Sequence, residues 1–110
     1  MIIIFKSRAA GDVVMFGDVA RRLMEIMGKE SSETGIVTVA QLPEAIARLR
    51  SAIDEDKARQ RALGEDEEPK TEKTPQGGKR DFVPLFRRAA PLLELLQYSL
   101  REEVPVTWST

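Results

Sequence analysis

Residues 1–29, MIIIFKSRAAGDVVMFGDVARRLMEIMGK, decide how the rest of this chain is read. Ile2, Ile3, Ile4 and Phe5 are β-branched or aromatic and do not alternate with polar residues. That pattern suits a strand covered on both faces, and therefore central in its sheet. Ser7 to Gly11 supplies a turn of small residues. The run Asp12-Val13-Val14-Met15-Phe16 then has two readings, the start of a long helix capped by Asp12 or a second strand folded back on the first. Gly17 inside a helix would cost about 1 kcal/mol, whereas Gly17-Asp18 makes a natural turn and N-cap, so the hairpin is preferred. Val19, Leu23, Ile26 and Met27 then follow with helical spacing, and Gly28 and Lys29 suit the end of that helix.

Outward from this unit, residues 29–34 read as loop and Gly35-Ile36-Val37 as a brief strand. A second helix starts near Pro43, buries Leu42, Ile46, Leu49 and Ile53, and runs on as a solvated extension to Gly64. Residues 65–80, EDEEPKTEKTPQGGKR, have no aliphatic or aromatic side chain to offset the entropy of ordering and are expected to be a disordered insert. Helical spacing returns at Leu85, Ala89, Leu92, Leu96 and Leu100, with Pro84 at the first helical position and a kink expected at Pro91. Val104, Val106 and Trp108 alternate with Pro105, Thr107 and Ser109 as a half-exposed strand, which Pro105 places at a sheet edge or a strand start.

The expected fold is α+β in one domain, residues 1–110: a small, mainly antiparallel sheet of three or four strands with three helices packed largely on one face. The first and last strands are expected to pair. The expected core is Ile2, Ile4, Leu23, Ile26, Ile46, Leu49, Ile53, Leu85, Leu92, Leu96 and Val106.

Several short patterns stand in order along the chain: Phe5-Lys6-Ser7 with Ala10, Asp12-Val13 and Met15, then Gly28-Lys29, Gly35-Ile36, and Leu42-Pro43 with Ala45-Ile46. Further along come Leu85, Arg87-Arg88-Ala89, Pro91-Leu92, Glu94, and Val106 with Trp108. With these segments the chain resembles the family of uncharacterised bacterial proteins catalogued as domain of unknown function 1840. The resemblance implies a variable central charged segment, in keeping with an insert at 65–80. It implies no activity.

Composition excludes more than it suggests. Lys and Arg number 17 against 18 Asp and Glu, a formal net charge of -1, so no global field draws the chain to nucleic acid or an anionic membrane. There is no cysteine, which removes disulfides and thiolate chemistry and fits a reducing compartment, the cytoplasm. There is no histidine, which removes the common triads, most zinc sites and the usual proton shuttle at neutral pH. The apolar start MIIIF is broken by Lys6 and Arg8, too short for a signal-peptide core or a membrane span.

Candidate sites are few. Arg87 and Arg88 fall about one turn into the last helix, near the positive end of its dipole, where cations are disfavoured by about 0.3–1 kcal/mol. An anion bound there, with Lys6 and Ser7 contributing from the sheet, would compensate them; pairing with Asp81 or Glu94 would serve as well. The turn Ser7-Arg8-Ala9-Ala10-Gly11-Asp12 lacks the glycine pattern of a phosphate-binding loop. Neither Asp54-Glu55-Asp56 nor Glu65 to Glu68 has the ligand alternation of a calcium loop, so no metal and no cofactor is expected. Arg21-Arg22 and Arg48 with Arg50 read as solvated helix faces. The non-alternating Ile2 to Phe5 is the remaining signal: three helices cover one side of a small sheet, so part of its second side is expected to be apolar and exposed. The expected function is thus a small cytoplasmic, non-catalytic interaction or regulatory protein, as a homodimer or with a small protein partner. The alternative is a sensor of a small anionic ligand using Arg87, Arg88 and Lys6. An enzyme using Asp12 or Glu94 is a more distant reading.

Overall fold

The apolar opening forms β1 (Ile2–Ser7), which turns back into β2 (Ala10–Phe16), and α1 (Gly17–Ile26) follows without a linker. This computed structural model describes residues 1–64 and 69–110. The choice between helix and strand for residues 12–16 is thereby settled as strand. Beyond α1 lie β3 (Gly35–Val37), a short 3-10 turn at Val39–Gln41, α2 (Leu42–Leu63), β4 (Thr71–Lys73), β5 (Lys79–Asp81), α3 (Leu85–Glu102) and β6 (Val106–Ser109). The fold is α+β: a four-stranded antiparallel sheet in the order β2-β1-β6-β3, a separate two-stranded β4-β5 hairpin, and three helices packed against the main sheet. The first and last strands do pair, with Phe5 opposite Trp108.

Within β1 the core side chains are Ile3 and Phe5, both fully buried, while Ile2 is exposed and Ile4 half-buried. The sequence pattern points to Ile2 and Ile4 instead. β1 does lie inside the sheet, but helices cover only one face, so the period-two alternation of side chains sends the even-numbered residues to the open side. Ile26 and Leu85 are only partly buried for a similar reason, sitting at the margin of the helix stripes. The remaining expected core residues, Leu23, Ile46, Leu49, Ile53, Leu92, Leu96 and Val106, are buried, joined by Met24, Val37, Leu42, Leu95 and Trp108. Each such aliphatic or aromatic side chain contributes about 1.5–3 kcal/mol on burial.

Trp108 sits on the core face of β6, tilted against Phe5 with ring centroids 5.9 Å apart, and its indole N–H donates to the Ser32 carbonyl at 3.0 Å. Its register partner on β3 is Gly35. A Cβ there would fall inside the contact distance of the indole ring, so glycine is what lets β3 close over the tryptophan.

Two expectations about the second half change. Pro84 is the N-cap of α3 rather than its first helical residue: its backbone is extended and its carbonyl accepts from the N–H groups of Arg87 and Arg88. The charged segment also differs from the disordered insert expected over residues 65–80. Residues 65–68 lie outside the described residues, but Thr71–Lys73 and Lys79–Asp81 pair as an antiparallel hairpin. The turn is held by Thr74, whose Oγ1 accepts from the Gly78 N–H at 3.1 Å and whose carbonyl accepts from the Gly77 N–H at 3.0 Å. Gly77 has φ +90°, which a side chain would resist. Charge pairing, rather than apolar burial, ties this hairpin to the domain.

Candidate functional site

Arg80 on β5 points inward and is largely buried. Its guanidinium forks onto Asp18 in the first turn of α1, with Nη1 to Oδ1 at 3.1 Å and Nη2 to Oδ2 at 2.6 Å, and also reaches Glu72 on β4 at 3.3 Å. Glu72 in turn accepts from Arg88 on α3 at 2.9 Å and from the Val83 N–H. Hairpin, first helix and last helix are joined by one alternating chain of charges. Hydrogen bonding from Arg80 outweighs burial and holds the Asp18 carboxyl below its ordinary range. For Glu72, burial alone would raise the pKa, but the bonds from Arg88, Arg80 and the Val83 N–H prevail and lower it. Arg80 is raised correspondingly, first by Asp18. Both guanidinium groups also lie over the Phe16 ring, Arg80 at 4.7 Å and Arg88 at 5.8 Å from its centroid.

Beside this chain lies a polar cavity of about 330 Å³ whose lining includes Asp18, Arg22, Asp56, Gln60, Glu72 and Arg88. Asp56 on α2 is buried and accepts from the Phe86 N–H at 2.9 Å, so the start of α3 is capped from a neighbouring helix. The Gln60 Oε1 and Arg80 Nε atoms are buried there without a protein partner among the described residues.

On the far side of Phe16 the sheet ends. β2 is an edge strand, and a groove of about 540 Å³ runs along it between Val13 to Phe16 and the Val83, Arg87, Arg88 and Pro91 side chains. Gly17 N–H donates to the Met1 carbonyl at 2.9 Å, which fixes the phase of the β1-β2 ladder. Because inward and outward backbone groups alternate, Val14 turns its N–H and C=O, and Phe16 its N–H, away from β1 toward the open edge. On the sheet face away from the helices the even-numbered side chains of β1 and β2 come together, Ile2 opposite Phe16 and Ile4 opposite Val14, while Ile36 lies apart on β3, across Thr107 from Lys6. Val14 is 59% exposed and Phe16 45%.

The sequence-based anion site does not assemble. Arg88 is engaged by Glu72 and by the Val83 carbonyl, which compensates its position at a helix start. Arg87 is exposed, borders the edge groove and has no carboxylate partner among the described residues. Lys6 and Ser7 line a different depression with Asp12 and Thr107, and the Ser7 hydroxyl accepts from Ser99. Asp12 also borders the edge groove, whereas Glu94 lies with Ile53 and Phe86 in another. The Arg80-centred chain of charges is not legible from apolar patterning, because residues 65–80 carry no aliphatic or aromatic side chain. A usable signal was present: Thr-Pro-Gln-Gly-Gly between short alternating charged runs is a hairpin turn pattern. Among the described residues no group of His, Cys, Asp and Glu could hold a metal ion, and no helix is long and apolar enough to cross a membrane.

The chain belongs to the family described as Domain of unknown function (DUF1840), whose model matches residues 1–108. No curated protein and no solved structure matches it.

Proposed function

We propose that this protein is a small cytoplasmic, non-catalytic interaction module that associates with itself through the open face or edge of its sheet. One observation carries the reading: Ile2, Val14 and Phe16, all exposed, come together where the open face of the sheet meets its β2 edge. Scattered exposed aliphatics are ordinary, but a contiguous set on a regular surface is the signature of a contact. Dispersal of Lys6, Ser7, Arg87 and Arg88 over separate depressions weighs against an anion sensor. Sedimentation equilibrium over a concentration series tests the reading. A monomer–dimer equilibrium is expected, and Val14→Lys should shift it to monomer while leaving the far-ultraviolet circular dichroism unchanged. A wild-type chain that stays monomeric at every concentration overturns it.

A further inference from the structure

We infer that the self-association uses the β2 edge: two copies pair β2 against β2 in antiparallel fashion about a two-fold axis at Val14, joining two four-stranded sheets into one of eight. This rests on the self-association reading and specifies its geometry. β2 runs over Ala10–Phe16 with neither lysine nor proline; its guards, a register shift and Asp12, lie at its start, which leaves Val13–Phe16 open along a groove bordered by α3. β3, the other edge, is only Gly35–Val37. An antiparallel pairing of one strand with its own copy is closed by a two-fold axis, so the interface is complete at the dimer.

Of the three axes at which an outward-facing residue of β2 meets its own copy, the side chains favour Val14. An axis at Asp12 would set two carboxylates directly opposite each other, which is destabilising. An axis at Phe16 would run the partner strand into α1, which begins at Gly17. With the axis at Val14, each Val14 N–H meets the other's carbonyl, and each Phe16 lies opposite Asp12 of the second copy. The Asp12 side chain then lies beside the other copy's Phe16 ring, the ring that already carries Arg80 and Arg88, and next to the groove that Arg87 borders. Negative and positive groups are thereby matched at both ends of the pairing. The half-buried Val13 and Met15, on the core face of β2, enter the second copy's groove between its β2 and the Val83 and Pro91 side chains of the α3 region.

The test compares variants by sedimentation equilibrium. Val14→Pro removes the outward N–H, which the ladder to β1 does not use, and fixes φ at a value that edge strands accept. It is expected to raise the dimer dissociation constant by about tenfold or more. Ile36→Lys, which charges the open face far from the edge, should leave the constant within about twofold of wild type. A dimer that survives Val14→Pro, or one that Ile36→Lys abolishes, overturns edge pairing while self-association stands. A wild-type monomer overturns both. Should Val14→Pro fail to fold, Val14→Cys decides, since the chain has no other cysteine. Mild oxidation should yield a covalent dimer from Val14→Cys and none from Ile36→Cys; the reverse pattern, or no covalent dimer from either variant, overturns the edge geometry.

Discussion

Arg80 turns a run of charged residues with no apolar anchor into an ordered hairpin, and it does so by meeting two carboxylates at once. Only a planar guanidinium can fork onto Asp18 while reaching Glu72, so Arg80→Lys should rescue little. Arg80→Met leaves both acids short of a donor and is expected to cost about 1–3 kcal/mol. The measurement is amide hydrogen exchange, with residues 71–81 losing protection and the Leu92 and Leu96 amides keeping theirs. The same hairpin should respond to acid. Asp18 and Glu72 both titrate below their ordinary values, so the stability they lend is fully present above the unfolded carboxylate pKa and is lost as pH falls through the folded one. Exchange at residues 71–81 should therefore be flat from pH 7 down to about 5 and accelerate below about 4, relative to its intrinsic rate. Gly35 is the other decisive single residue. Gly35→Ala drives a Cβ into the buried indole of Trp108, and an overpacked core site of this kind costs about 1–3 kcal/mol, read as a lower denaturant midpoint with an unchanged slope. Gly35 and Trp108 were both visible as family pattern positions; that one exists to accommodate the other is a cross-strand register, which no local window of sequence contains.

At the scale of elements, the parts with a strong apolar period were legible and the parts held by polar partners were not. α1, α2 and α3 each follow a stripe of aliphatic residues, and β2 followed from the cost of Gly17 inside a helix. The phase of β1 is not legible in the sequence, because three consecutive isoleucines erase the alternation that would tell its faces apart. α3 shows the polar case. It opens on Pro84 with no side-chain cap of its own, and Asp56 supplies one from α2, thirty residues earlier in the chain. Asp56→Ala should cost about 0.5–2 kcal/mol, the range for losing an N-cap. Because the acceptor belongs to another helix, the loss should also loosen the α2-α3 pair, and faster exchange should appear at Phe86 and Arg87 before it appears at Leu95. Equal acceleration along all of α3 would argue that Asp56 matters for the whole core rather than for this cap. The helix continues through Pro91, which has no N–H to offer the Arg87 carbonyl.

At the scale of the whole molecule, the chain closes on itself through its last strand. β6 lies between β1 and β3, so β3 joins the sheet only through it, and Val106 and Trp108 are the core side chains it contributes. Losing one large buried aromatic costs about 3–5 kcal/mol, and a buried valine adds to that through transfer and cavity terms. A domain of this size has about 5–15 kcal/mol of net stability, so removal of the strand consumes most or all of it. The sheet does not degrade in proportion, because without β6 the Gly35–Val37 segment has no partner and the open side of β1 exposes unsatisfied backbone groups. A chain ending at Pro105 is therefore expected to lose its cooperative thermal transition and to bind a hydrophobic dye, while keeping part of its helical circular dichroism. A chain lacking only Thr110, which follows the last strand residue, should melt like the full-length protein. If the Pro105 truncation still unfolded in one sharp transition, the β1-β2 hairpin and the three helices would be sufficient as a folding unit, and β6 would be an addition to the domain rather than the strand that completes it.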